Sequence, residues 1–253
     1  IVDEFHHSGG ISYRKGIFDK CPHVFYRFGM TGTFYRSGTD AQAMHAVLSS
    51  TIFKITSQEL VQRGYLVPIE VLFCPVTAAK LRGCAQGYIT GHGRDGIHEH
   101  DGRNGLVARI AAYLSKLGRR VLVLVTTKRH GEDIAQQLRF FMGVRNGTEF
   151  NPVEFVHADR PRPIIQKVLL SFQQGQEVKI LLGTSILGEG VDLPEADALV
   201  FARGEHAAVT LRQYSYRIGT AVPGKRNAVL VDFADRHHRK LMEHSMDRLR
   251  LYF

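Results

Sequence analysis

The chain has 253 residues, 44% hydrophobic and 23% charged, with a formal net charge of +9 and a pI near 9.6. That balance suits a globular protein of one large domain, or one domain plus part of another. No apolar run is long enough to cross a bilayer as a helix, so a helical membrane protein is excluded for this stretch. The basic excess points to a polyanionic partner, because Lys and Arg displace counterions from phosphates. The three cysteines, Cys21, Cys74 and Cys84, are odd in number and lack CxxC spacing. This argues against a disulfide framework and for a reducing compartment, cytoplasmic or nucleoid or nuclear.

The chain opens on "IVDEFHH", an apolar strand end running into the adjacent carboxylates Asp3 and Glu4. In α/β proteins the C-terminal edge of the sheet holds metal-nucleotides. There one carboxylate can hold Mg²⁺ through its water shell, and the next can accept a proton from a water attacking a γ-phosphate. Taken alone, the pair reads first as a solvated strand end. A helix is expected near 12–20, a strand at "VFYRFGMT" (24–31), a helix in "GTDAQAMHAVLSS" and a strand at "TIFKIT" (51–56). In "TSQELVQRGYL", Thr56 and Glu59 stand at capping-box spacing and Gly64 supplies a stop. These elements read as the last third of an α/β domain. The boundary is expected at Leu66–Pro68, giving segments 1–66 and 67–253.

Beyond residue 66 the apolar segments are short and continuous: 69–76, 120–127, 153–158, 178–185, 197–202 and 227–234. Runs apolar on both faces belong to strands covered by helices on both sides. Between them, 104–118, 131–143 and 162–175 carry one apolar stripe each at helical spacing, and each ends in Gly. Strands alternating with helices imply a doubly wound parallel sheet. The Gly- and His-rich stretch 87–105 is expected to be a solvated loop. Its His92, His98 and His100, near Cys84, match no compact zinc spacing. The tail 236–253 reads as a basic amphipathic helix with Leu241, Met242, Ser245, Met246 and Leu249 on one face, packed on its own sheet or on a partner.

The chemistry-bearing stretches lie at strand ends. "GMTGTF" (29–34) places Thr31 and Thr33 around Gly32, where they can hydrogen-bond to His6. "GTSILGEGVDLPEADALV" (183–200) ends a strand in Gly-Thr-Ser and then turns through Gly-x-Gly to Asp192. Amides in such a turn suit phosphates, and Asp192 suits a ribose or a bridging Arg. His157 and Asp159 end another strand, where they can contact nucleic acid or cap the following helix. Phe34 and Tyr35 can stack on a base or pack in a core.

In order and spacing these stretches resemble superfamily 2 helicases and translocases of the DExH kind. "DEFH" resembles motif II, "TGT" motif III, "RVLVLVTT" motif IV, "GTSILGEGVDLP" motif V and "YRIGTAVPGK" motif VI. "GMTGTFYR" and "SQELVQRGYLVPIEV" are similar to DNA-repair helicases and restriction motor subunits. The resemblance implies a RecA-like second motor domain joined to the C-terminal part of a first, with ATP and Mg²⁺ as cofactors. It implies that Asp3 holds Mg²⁺, that Glu4 shares the metal site and acts as general base, and that His6 couples the nucleotide to Thr31 and Thr33. Thr184, Ser185 and His157 would face nucleic acid, with DNA favoured over RNA. Gly190, Asp192 and Arg217 would face the nucleotide.

Two departures qualify it. No GxxxxGK[ST] occurs in the chain, so the sequence is expected to start partway through a larger ATP-driven machine and to lack ATPase activity alone. Motif VI fits in two registers, one aligning Gln213 and the other Tyr216 with the family Gln. In both, Thr220 stands where the family has an arginine that accelerates phosphoryl transfer. The competing reading is a non-hydrolysing nucleic-acid-binding module of the same fold.

Overall fold

The computed structural model describes residues 1–3, 16, 20, 23–32, 51–77, 91, 93–144, 151–187, 191–205 and 208–252. The chain divides into two compact units, Ile1–Glu59 and Leu60–Phe253.

In the first unit, Val2 pairs in parallel with Gly29. The Val2 amide donates to Phe28 O at 2.7 Å and the Met30 amide to Val2 O at 2.9 Å. This bridge is what remains, among the described residues, of the strand expected over 24–31. Residues 51–56 do not form the expected strand. Ile52 and Phe53 are 80% and 74% exposed, and a strand without a partner or a covered face has nothing to hold it. Helix α1 (Ser57–Gln62) does form. Its capping box is closed: Thr56 N donates to Glu59 Oε2 at 2.7 Å and Glu59 N to Thr56 Oγ1 at 3.2 Å. Most of residues 12–20 and 38–50 lie outside the described residues.

The second unit is a six-stranded sheet with every pairing parallel. Its strands are β1 (Ile69–Pro75), β2 (Val121–Leu124), β3 (Val153–Val156), β4 (Ile180–Gly183), β5 (Ala198–Phe201) and β6 (Ala228–Ala234), in the spatial order β1-β6-β5-β2-β4-β3. The main helices are α2 (Asp101–Lys116), α3 (Lys128–Phe141), α4 (Arg162–Gln173), α5 (Ala208–Gly219) and α6 (Arg239–Leu249). Strand β2 shows why the apolar runs are continuous. Val121 and Val123 enter one buried cluster with Ala111 of α2 and Leu138 of α3. Leu122 and Leu124 enter the other with Phe172 of α4 and Leu211 of α5. Helices therefore cover both faces, and alternate residues of one strand serve separate cores. After α2, α3 and α4 the chain turns at Gly118, Gly143 and Gly175, each at positive φ, where a side chain would be strained.

Two expectations are corrected here. The stretch 87–105 is not a solvated loop where it is described. Residues Arg94–His98 form one π-helical turn, α2 begins at Asp101, and Ile97 and His98 are buried. The His100 ring opens α2 by accepting from Arg103 N at 3.1 Å. Helical hydrogen bonding and burial against the sheet outweighed the loop preference of its glycines. On α6, the buried face is Leu241, Ser245 and Arg248, whereas Met242 and Met246 are 45% and 39% exposed. An arginine took the core position because two buried carboxylates, described below, need it.

Candidate functional site

Because the strands are parallel, their C-terminal ends open along one edge. Val156, Gly183, Leu124 and Phe201 stand in register across β3, β4, β2 and β5. The residues that follow, His157, Thr184, Val125 and Ala202, therefore emerge side by side. Among the sequence-predicted nucleic-acid residues, His157 and Thr184 are neighbours on this edge, and Ser185 opens a short 3₁₀ turn (Ser185–Leu187). Thr184 is half-buried and Ser185 exposed. The turn is tight because residue 183 lacks a side chain: a Cβ at Gly183 would lie 2.1 Å from Leu187 Cδ1.

The same edge carries two cations, each paired with a carboxylate, Lys128 with Asp159 and Arg129 with Glu99. Lys128 and Arg129 occupy the first turn of α3, behind the Thr127 cap that accepts from His130 N at 3.2 Å. Lys128 Nζ donates to Asp159 at 3.0 Å, and His157 Nδ1 lies 3.8 Å from the same carboxylate. The hydrogen bond from Lys128 holds the Asp159 carboxyl below its ordinary range. The capping role considered for His157 and Asp159 is not adopted, since Pro161 stands at the α4 N-cap without a side-chain cap bond.

Asp192 lies elsewhere, whereas Arg217 reaches the turn itself. Asp192 is exposed, and its carbonyl accepts from Gln173 Nε2 at the far end of α4. Arg217, on α5, donates from Nη1 to Leu187 O at 2.6 Å and stacks 5.2 Å from the Tyr214 ring centroid. That bond ties the helix of motif VI resemblance to the turn of motif V resemblance. Thr220 is engaged as well. Its hydroxyl donates to Tyr216 O at 3.2 Å, and its backbone bridges antiparallel to Leu66. In the first unit, Asp3 is exposed directly after the Val2–Gly29 bridge, and Thr31 is half-buried. The parallel pairing sends both strands the same way. An exposed carboxylate at a strand end suits a hydrated Mg²⁺, a hard cation that keeps several waters. Glu4, His6, Thr33 and Gly190, with Cys21, Phe34, Tyr35, Cys84 and His92, lie outside the described residues. No group of three or more metal-ligating side chains occurs among the described residues, and no described helix is long and apolar enough to cross a membrane.

Sequence reasoning missed a buried ionic network beside this edge. Arg103 of α2 donates to both oxygens of Asp235, at 2.7 and 3.2 Å, and from Nη1 to Ala202 O at 2.7 Å. Arg248 of α6 donates from Nε to both Asp232 oxygens, at 3.1 and 2.8 Å, and from Nη1 to Gly204 O and Glu205 O. The Tyr252 hydroxyl donates to Asp232 at 2.8 Å. Both ion pairs are fully buried. Together they grip the Ala202–Glu205 segment that leads toward α5. Alongside, the His98 and His130 rings lie 5.4 Å apart. Burial, reinforced by Arg103 and Arg203, lowers the His98 pKa to about 4 and that of His130 well below its ordinary value. The available signal was a pair of acids, Asp232 and Asp235, in and after an otherwise apolar strand.

Residues 105–222 match the helicase conserved C-terminal domain family. That match lies within the second unit and takes in β2 through α5, including His157, Thr184, Asp192 and Arg217. Among solved structures, UvsW of T4 is similar over 99% of this chain and 50% of its own, at 17% identity and a TM-score of 0.56. The chain thus spans about half of that structure. At that identity the likeness establishes the fold, which is RecA-like α/β. The DUF1998 helicase MrfA, bound to DNA and AMPPNP, aligns over 58% of this chain and 20% of its own, at 14% identity and a TM-score of 0.47. The E. coli DEAD-box protein SrmB, bound to regulator of ribonuclease activity A, aligns over 60% and 80%, at 16% and 0.45. No curated protein matches the sequence.

Proposed function

We propose that the chain is part of an ATP-dependent helicase or translocase of the DExH kind, coupling ATP hydrolysis to movement on nucleic acid, with DNA as the favoured track. The observation that carries this reading is the helicase C-terminal domain match over 105–222, together with the tie from Arg217 to the Leu187 carbonyl. A tether of that kind suits an element that must respond to nucleotide on one side and to nucleic-acid phosphates on the other. In this reading His157, Thr184 and Ser185 meet the phosphates, with Lys128 and Arg129 adding to the field. Gly190, Asp192 and Arg217 face the nucleotide. Asp3 and Glu4 hold Mg²⁺, Glu4 serves as general base, and His6 couples to Thr31 and Thr33. ATP is gripped by a phosphate loop supplied outside this sequence, in the remainder of a first RecA-like domain. Such a machine works in an intracellular, reducing compartment.

A specific observation favours a second reading, a nucleic-acid-binding module that does not hydrolyse ATP. Thr220 stands where the family carries an arginine, and its hydroxyl is already committed to Tyr216 O. The deciding experiment is nucleic-acid-stimulated ATP hydrolysis by the product of the whole reading frame, beside its Thr220→Arg and Glu4→Gln variants. Stimulated turnover that Glu4→Gln abolishes supports the motor. Recovery only in Thr220→Arg identifies a motor site disabled at one position. Silence in both, with DNA binding retained, refutes the motor and leaves the binding module.

A further inference from the structure

Helices α2 and α3 pack together over one face of the sheet, and their C-terminal halves present an unusual surface. Tyr113, Leu117 and Phe140 are 62%, 61% and 80% exposed. Between the two helices lies an open cavity of about 170 Å³ lined by Arg109, Ala112, Tyr113, Lys116 and Phe141. Arg109, Ala112, Tyr113 and Lys116 fall at i, i+3, i+4 and i+7, a single ridge of α2. Phe140 stands edge-on to Phe141 with ring centroids 5.7 Å apart, so the aromatic flank is braced from within.

The charges around this hollow are of one sign. Arg109 and Lys116 line it, whereas the acids of the two helices, Asp101, Glu132 and Asp133, sit in their N-terminal halves. Arg109 donates to the Gly105 carbonyl, at 3.3 Å, and neither cation makes an ion pair among the described residues. A concave apolar hollow, aromatic walls and cations without a carboxylate partner at the rim are the makings of an anchor site.

We infer that this surface docks an acidic peptide segment of another protein that inserts one apolar side chain between α2 and α3. Carboxylates flanking that anchor would pair with Arg109 and Lys116. Nucleic acid fits less well. The helices run antiparallel to the strands, so their C-terminal ends lie at the sheet edge opposite His157 and Thr184. The carbonyl ends of two helices also point there, which disfavours a polyphosphate track.

The test is selection from a displayed random-peptide library on the intact chain, followed by synthesis of the winning peptide and titration by fluorescence anisotropy. Lys116→Glu and Phe140→Ser are the variants. Both positions are exposed, and circular dichroism melts confirm that each variant remains folded. The expected result is winners rich in Asp and Glu around one apolar residue, with affinity weakened about tenfold or more by either variant, the scale of an anchor contact. Winners without acidic residues, or winners indifferent to both variants, overturn the inference. Single-stranded oligonucleotide binding lost in both variants assigns the surface to nucleic acid and overturns it. Self-association of the chain lost in both variants assigns it to a second copy and overturns it equally.

Discussion

Replacing Arg248 with Met probes the buried network most directly. Met keeps much of the length and apolar bulk of the arginine and removes its charge and its donors. Asp232 then keeps only the Phe233 amide and the Tyr252 hydroxyl as donors, at 2.7 and 2.8 Å. Its carboxylate is fully buried and has lost its counter-charge, while Gly204 O and Glu205 O lose a donor as well. Breaking a buried pair from one side costs about 3–5 kcal/mol, because an uncompensated ion is left in the core. For a unit of this size that corresponds to a fall in Tm of about 6–20 °C. Urea unfolding of the 253-residue chain, followed by far-ultraviolet circular dichroism, measures the loss. The two compact units can unfold in separate steps, and the fit is made to the step carrying most of the helix signal. Adding Asp232→Asn removes the stranded charge yet keeps an acceptor for Tyr252, so the double variant should regain more than half of the loss. A single-variant cost below about 1 kcal/mol, or a double variant no better than the single, would refute the claim that both ions are desolvated.

Two further outcomes follow from other parts of the molecule. Gly183→Ala forces Leu187 away from the end of β4, since the new Cβ would overlap its side chain. A stability loss of about 1–3 kcal/mol is expected from overpacking, with weaker oligonucleotide binding from the displaced Thr184–Ser185 turn, both measured on the same preparation. Unaltered binding would separate that turn from the proposed nucleic-acid site. Stability should also fall on acidification from pH 6.5 toward about 4. Burial lowers the folded-state pKa of His98 to about 4, and that of His130 and His237 below the ordinary 6.5. The unfolded chain therefore binds protons first as pH falls, and stability that is complete above 6.5 drains away through this window. Thermal melts at successive pH values test this, and His98→Gln should flatten the slope; an unchanged slope would remove His98 from the account.

Much of the architecture was legible in the sequence because its causes are local. The Thr56–Glu59 capping box, the stripes of α2, α3 and α4 and the glycines after them depend on residues within a few positions of one another. The continuous apolar runs could announce a two-sided sheet because each strand alternately feeds two cores. The tertiary structure alone decided the rest. The unpaired stretch 51–56 has strand-like residues, but strands are made by partners that no local pattern specifies. His98 looked solvated in a glycine-rich stretch, and it is buried in a turn that distant chain reaches, His237 meeting Gly96 O from 141 residues away. Arg103 meets Asp235 across 132 residues of chain. Arg248 reads as one more cation on an amphipathic tail until the fold places it on Asp232. Likewise, Lys116 and Phe140 belong to different helices and become one surface only when α2 and α3 pack. Spacing along the chain reports hydrogen-bond periodicity and one-dimensional burial. Which charges lose their water together is settled by contacts distant in sequence, and so appears only when the chain is folded.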